Sequence, residues 1–374
     1  MNLSVPKEAL SQLLYLASTI VERRTTMPIL ANVKLTADNG KLAIAATDLE
    51  ISLAGEVAAT IKTPGSITIG GKVLYEIARE LPGETVSLHA QKAQRLEIES
   101  GQSRFKINGI SADEYPAVQG VTLRKKTAVD AQKLYEMFKK TAFCVSTDET
   151  RYNINGVYVE GSNPNAKGEK GQIRFVATDG HRLAMIDRPA EGLEIQDQVI
   201  IPRKGLQELM KVLENNDGVA YVDSYEGFFI VESGSVTMGV RLVDGQFPDY
   251  RQVIPLETTT TIEVPREELL AAVRRVSLVT TDKSRTIKFK LVAGNLVVSS
   301  QSPEHGEASE SLVVNQTGNE VTIGFSAKYV QDLLVAMEES ETVTLRLSGD
   351  LGAGVFTGSA DDLYTCIVMP MRFE

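Results

Sequence analysis

The sequence predicts an α+β fold of three homologous domains, each with two helices packed on antiparallel sheets. Three observations carry that expectation. The chain resembles itself at intervals, six helical segments share one apolar stripe, and alternating β-prone runs with hairpin signals separate them. At 374 residues the chain exceeds one ordinary core, and its 43% hydrophobic and 24% charged content are those of a folded protein.

The first repeated set reads "NLSVPKEALSQLL", "KTAVDAQKLYEMF" and "TIEVPREELLAAV". The second reads "SITIGGKVLYEIARELPGETVSL", "QVIIPRKGLQELMKVLENNDGVAYV" and "VTIGFSAKYVQDLLVAMEESETVTL". The sets interleave, so the chain holds six strand–helix–turn–strand units, with helices expected over residues 7–24, 72–80, 130–142, 203–213, 266–275 and 327–337. Leu10/Leu13/Leu14, Leu134/Met137/Phe138, Leu206/Leu209/Met210 and Val330/Leu333/Leu334 recur at i, i+3, i+4, which turns one helix face to a core. Leu74/Ile77/Ala78 and Leu269/Ala272/Val273 are weaker versions. Pro6, Pro202 and Pro265 fall near three helix starts, where a missing N–H costs nothing.

Between helices, "NVKLTADNGKLAIAATD", "GVYVEGS…QIRFVATDGHRLAM" and "IKFKLVAGNLVVSS" occupy equivalent places. Ala46-Thr47-Asp48 returns as Ala177-Thr178-Asp179, which aligns the first two copies. "ADEYPAVQGVTL" and "DGQFPDYRQVIPL" close the first and second copies as linkers, giving domains 1–123, 124–254 and 255–374.

Only Cys144 and Cys366 are present, far apart, which suggests reduced thiols in a cytoplasm rather than a disulfide framework. His89, His181 and His305 are scattered without ligand spacing, so neither a metal nor another cofactor is expected. No apolar run reaches the roughly 18–20 residues of a membrane span, and "MNLSVPKEAL" has no secretory pattern.

A net charge of −10 by itself speaks against a nucleic-acid partner. The expected helices nevertheless carry 15 Lys and Arg against 10 Asp and Glu. Lys72 and Arg79, Lys133 and Lys140, and Lys204 and Lys211 stand seven apart, the spacing of one solvent face. Basic helices on an acidic body suit a polyanion passing one surface, and a plain solvated face is the competing reading. No helix-turn-helix, zinc finger or aromatic platform suggests base readout, so any DNA contact would be indifferent to sequence.

The sixfold repeat, with "RTTMPILANV", "ATDGHRLAM", "PRKGLQEL", "LVDGQFPDYRQV" and the terminal "VMPMR", resembles the bacterial DNA polymerase III β subunit family, the replicative sliding clamps, over the whole chain. The resemblance implies the DNA-clamp fold, assembling as a head-to-tail homodimer ring around double-stranded DNA. It implies a processivity factor, not an enzyme. Its implied partners, besides its own copy, are the DNA polymerase III catalytic subunit, the clamp loader and repair polymerases, docked through short linear motifs.

Residue by residue, the implied peptide groove comprises Ile154, Thr178, Gly180, His181, Arg182, Leu183, Pro248, Gln252 and Val253, with Ile367, Val368, Met369, Pro370, Met371 and Arg372 as its other wall. Gln252 departs from the second basic residue that many relatives carry after "PDYR". The implied DNA contacts are Arg24, Lys72, Tyr152, Arg203 and Lys204. The implied dimer edges place Arg104, Phe105, Lys106 and Ile107 opposite Leu278, Val279 and the acidic stretch of Glu304, Glu307 and Glu310. The proline of "MPM" lacks an N–H, so the last strand is expected to finish at Val368 and the tail to lie over "ATDGHRL" and "FPDY".

Two rival readings remain at this stage. Asp179-Gly180-His181 could be a catalytic Asp/His pair, although no Gly-x-Ser-x-Gly, P-loop or Rossmann pattern accompanies it. Alternatively, the chain is a repeat-built protein-interaction scaffold that never binds DNA.

Overall fold

The computed structural model describes residues 1–21, 27–91, 94–162, 172–189, 199–281 and 285–373. Six α-helices run over Lys7–Ile20 (α1), Gly71–Glu80 (α2), Ala131–Ala142 (α3), Arg203–Leu213 (α4), Arg266–Val276 (α5) and Ala327–Ala336 (α6) among these residues. Each follows a strand without a loop. The first N–H of a helix has no intrahelical partner, and here backbone carbonyls accept it: Lys7 donates to Glu84 (2.8 Å), Ala131 to Gly218 (3.0 Å) and Arg266 to Glu341 (2.9 Å). Arg203 donates to Asn155 and Ala327 to Arg285, both at 3.1 Å. The repeat thus extends to single hydrogen bonds.

The apolar stripes are buried as expected, except that Met210 and Ile77 are half-buried. Five helices end within a residue of their expected bounds, but α1 stops at Ile20 rather than residue 24. Val21 turns extended (φ −70°, ψ 131°) and is buried, lying beside Gly71, where a Cβ would meet its methyl at 3.0 Å. Burying that side chain ends the helix. Arg24 lies outside the described residues.

Two compact units form, Met1–Tyr135 with Lys204–Leu242 and Glu136–Arg203 with Val243–Glu374. In the first, thirteen strands form a continuous antiparallel run from Thr127–Asp130 to Thr60–Thr63. Strand Val236–Arg241 of the middle repeat pairs there with Ile51–Ala58 of the first. In the second, nine strands run from Val199–Pro202 to Asn315–Gly318, and strand Arg182–Pro189 pairs with Asp361–Val368. Four more strands, Gly306–Val313, Asn295–Ser302, Thr286–Val292 and Val321–Ser326 in that order, make a separate sheet.

The repeated Ala-Thr-Asp is one turn built twice. Thr47 Oγ1 donates to the Ile51 carbonyl (3.0 Å) and accepts from Leu49 N–H (3.0 Å), while Asp48 accepts from Glu50 (3.0 Å) and Ile51 (2.6 Å). Thr178 donates to Arg182 (2.7 Å) and accepts from Gly180 (3.0 Å), and Asp179 accepts from His181 (2.9 Å) and Arg182 (3.0 Å). Both turns need positive φ after the aspartate, 79° at Leu49 and 90° at Gly180. The linkers are pinned rather than loose. Tyr115 is buried, donating to the Asn32 carbonyl and accepting from Thr47 N–H, both at 3.1 Å, and burial pushes its phenol up to about 12.

One expectation fails. Lys140 is not on a solvent face with Lys133: it is buried, with its ammonium 2.5 Å from Glu136, 3.1 Å from Asp361 and 3.4 Å from Glu339. Arg188 joins them, reaching Asp361 at 2.6 Å and Glu136 at 2.9 Å. Heptad spacing fixes an angle about the helix axis, not what covers each turn. Burial pulls the Lys140 ammonium down, but Glu136 and Asp361 raise it further. Burial likewise raises Asp361, and Arg188 and Lys140 more than offset it, leaving the carboxyl below its ordinary value.

Removing one member of a buried ionic cluster strands the others. Lys140→Met is therefore expected to lower the unfolding free energy by about 3 kcal/mol, measured by urea denaturation. A depressed Asp361 stabilises fully above the unfolded value of about 4, and that contribution is lost as pH falls through the lower folded value. The variant should accordingly acid-unfold at higher pH.

Candidate functional site

The pairing of Arg182–Pro189 with Asp361–Val368 sets Leu183 opposite Ile367. Both are buried in an apolar cluster with Ile154, Tyr158, Val176, Phe247 and Tyr250, against which Val253 and Met369 pack. Above it opens a cavity of about 180 Å3, lined by Arg151, Ile154, Thr178, Gly180, Arg182, Leu183, Pro248, Asp249, Tyr250, Val253, Ile367 and Met369. Ligand sites for drug-sized molecules run to roughly 300–1,000 Å3. This one suits an apolar side chain or two.

Nine residues expected together are brought together: Ile154, Thr178, Gly180, Arg182, Leu183, Pro248, Val253, Ile367 and Met369. The other expected groove residues stand outside the lining. His181 is exposed, its ring 6.4 Å from that of Tyr329, and Val368 is buried in its strand. Gln252 donates to Asp249 (3.1 Å). Pro370, Met371 and Arg372 lie beyond the cavity's edge.

Arg182 lines the cavity without offering it a free charge. Its guanidinium donates to Asp179 at 3.0 Å and Asp332 at 2.6 Å, and to the Phe143 carbonyl at 2.6 Å, and it lies 4.4 Å from the Tyr329 ring. Asp179 accepts from two backbone N–H groups and Arg182, so it builds the turn and does not pair with the His181 imidazole.

Arg151 is a lining residue that sequence reasoning missed. It donates to the Asp179 carbonyl (3.1 Å), and its guanidinium would lie 2.8 Å from a Cβ on Gly180. Its signal was the spacing to Ile154: Tyr152–Ile154 is a 3-10 turn, in which i and i+3 eclipse.

The wall of residues 248–253 is held from behind. Tyr250 donates to Glu160 and accepts from Arg174 (3.2 Å), while Arg251 reaches both Glu160 oxygens at 2.8 and 2.9 Å. Arg174 is anchored in turn by a two-bond fork on Asp187, at 2.7 and 2.8 Å. The Tyr158 and Phe247 rings stack with centroids 4.8 Å apart. Burial raises the Glu160 carboxyl, but the bonds from Tyr250 and Arg251 bring it below its usual range.

The expected DNA contacts are spread over the fold. Lys72 lies on α2, Tyr152 is 59% exposed, Arg203 opens α4, and Lys204 donates to Asp48 at 2.6 Å. Of the two expected edges, the first is open over part of a strand and the second is the end of a sheet. Ser103–Ile110 pairs from Ser103 to Asn108 with Arg95–Ser100, but on its other side, among the described residues, only Gly109 and Ile110 find strand partners, and Phe105 is exposed. Gly306–Val313 ends its four-stranded sheet, near exposed Glu304 and a 3-10 turn that leaves Leu278 79% exposed. Within the chain, Arg104 and Lys106 pair with Glu97 and Glu99, and Glu310 with Arg275.

Both cysteines are free and buried, and burial pushes the Cys366 thiol up to about 12. Among the described residues no cluster of acidic, histidine or cysteine side chains could hold a metal, and no helix is long and apolar enough to cross a membrane.

A helix-on-sheet unit repeated six times through one chain is the architecture of the sliding-clamp class. Three family models cover the chain: DNA polymerase III beta subunit, N-terminal domain over residues 1–119, central domain over 128–249 and C-terminal domain over 251–372. The beta sliding clamp of Caulobacter vibrioides is 34% identical over 377 residues, and that of Pseudomonas putida 32% over 375, each with 100% of both chains covered. The clamp structure from Bacillus subtilis matches at TM-score 0.93 and 29% identity. The Bartonella birtlesii clamp bound to griselimycin matches at 0.93 and 32%, both comparisons covering 100% of each chain. The chain belongs to the DNA polymerase III beta subunit family. It acts as a DNA sliding clamp, and the reading as a scaffold that avoids DNA is not favoured.

If Glu160 holds the cavity wall, Glu160→Gln should destabilise the fold by about 2 kcal/mol, the size of a charged hydrogen bond. Backbone amides of Tyr250–Val253 should then exchange faster with deuterium, read by mass spectrometry.

Proposed function

We propose that the protein works as a homodimeric ring around duplex DNA, closed by pairing the Ser103–Ile110 edge of one copy with the Gly306–Val313 edge of the other. The observation that carries this reading is the pair of strands left open along one side, the first up to Asn108 and the second at a sheet's end, with exposed apolar residues beside them. Two copies would close both edges in one symmetric assembly. Phe105 and Ile107 would meet Leu278 and Val279, while Arg104 and Lys106 would face Glu304 and Glu307 at the rim and set the register. The domains would be residues 1–123, 124–254 and 255–374.

DNA would be retained by topology, with weak, sequence-independent contacts from Arg24, Lys72, Tyr152, Arg203 and Lys204. Such contacts weaken steeply with salt. The cavity would receive a short linear motif bearing Leu or Phe anchors from the DNA polymerase III catalytic subunit, the clamp loader and repair polymerases. No catalytic step or cofactor belongs to this reading, and the work would be done in the cytoplasm.

Retention on DNA provides the test. Once loaded, the protein should remain on closed circular DNA and be lost within seconds when the circle is cut. Ile107→Asp, which places a charge in the proposed interface, should run as a monomer by light scattering and show no retention. A dimeric Ile107→Asp, or equal loss from circular and linear DNA, overturns the ring.

The docking site has its own test. Deleting residues 369–374 removes one apolar wall, about 2 kcal/mol for a well-buried side chain, or roughly thirty-fold in affinity for a Leu/Phe-anchored peptide. The truncated protein should stay dimeric with little change in melting temperature, since residues 371–373 are exposed.

A further inference from the structure

The chain beyond Val368 is fastened at two points. Met369 N–H donates to the His181 carbonyl and Met371 N–H to the Gly324 carbonyl, each at 2.8 Å. The first bond lies in the "ATDGHRL" segment, as expected. The second does not: past Pro370 the tail leaves the "FPDY" segment and crosses the four-stranded sheet.

That crossing uses a gap in the sheet's outer face. On strand Thr286–Val292, Ile287 and Phe289 are buried, so Thr286 and Lys288 share the opposite face. The cross-strand partner of Lys288 is Gly324. A Cβ at Gly324 would stand 2.5 Å from the Met371 carbonyl oxygen, 2.7 Å from the Phe373 ring and 3.0 Å from the Thr286 methyl. Gly324 is not among the residues with positive φ, so it serves here for space and not for backbone freedom. A glycine inside a strand marks such a close approach. The Lys288 ammonium then lies 4.5 Å from the centre of the Phe373 ring, and Thr286 Oγ1 lies 3.8 Å from the Met371 sulfur.

We infer that Phe373, seated over Gly324 with the Lys288 ammonium against its half-exposed ring, is a positioning residue for the docking cavity. It does not line that cavity; it holds residues 369–371 as a preformed wall against which a partner peptide closes. The inference rests on the reading of the cavity as a peptide-docking site. A site whose competent form is populated a tenth of the time binds tenfold more weakly, so losing the anchor shows as lost affinity, not lost fold.

The test uses the full-length protein and a fluorescent synthetic peptide carrying adjacent Leu and Phe anchors, with affinity read by anisotropy. Phe373→Ala and Gly324→Ala should each weaken binding about tenfold. Phe373→Leu, which keeps an apolar plug, should stay within about twofold of the parent. Melting temperature and dimer mass should not change, while the Met371 amide should exchange faster in the two weakened variants. Parent-like affinity in Phe373→Ala, with the Met371 amide exchanging fast, overturns the positioning role and leaves the docking site standing. A parent protein that does not bind the peptide overturns the docking reading, and this inference with it.

Discussion

The antiparallel ladder between Arg182–Pro189 and Asp361–Val368 is the constraint on which the candidate site depends. It seats Leu183 against Ile367, delivers Met369 to the His181 carbonyl, and closes the cavity's floor. Half-buried arginines rivet the first strand near both ends: Arg182 on Asp179 and Asp332, Arg188 on Asp361 and Glu136. Apolar pairing alone tolerates error poorly, because a slip of one residue exchanges the faces of the strand. The ionic pairs raise that penalty, since a slipped strand would bury unmatched guanidinium groups.

The repeats share a scaffold and differ in use. The Thr47–Asp48 and Thr178–Asp179 turns carry the same bonds, and the second borders the cavity, where Gly180 lets Arg151 lie close. Tyr115 and Tyr250 both anchor linkers. Tyr115 bonds only to backbone, whereas Tyr250 bonds to Glu160 and Arg174, which fixes the outer wall. The second linker has gained a side-chain network where the first has a simple pin.

Much of this was legible in the sequence because it is periodic or local. Apolar i, i+3, i+4 stripes located six helices, and the recurrence of Ala-Thr-Asp marked a real turn. The cavity's apolar residues were reached through the resemblance, not through periodicity. Charge was harder to read. Lys140, Lys204 and Lys211 look alike along the chain, yet the first is buried among carboxylates, while the other two reach in from solvent to Asp48 and Glu208. What neutralises a lysine is decided by strands far away in sequence. The tail's path past Pro370 was missed for a related reason: nothing local to "MPMRFE" announces that Gly324 has left a seat for it.

Strand order also gives the molecule a history. Leu183 waits for Ile367, almost half the chain later, before its ladder can form. On a ribosome, the strand Arg182–Pro189 therefore emerges long before its partner, with an open edge and two arginines without their later counterparts Asp332 and Asp361. Through that interval a nascent chain has no finished cavity. A product of early termination lacks Ile367 and Met369, so the cavity's last wall is never made.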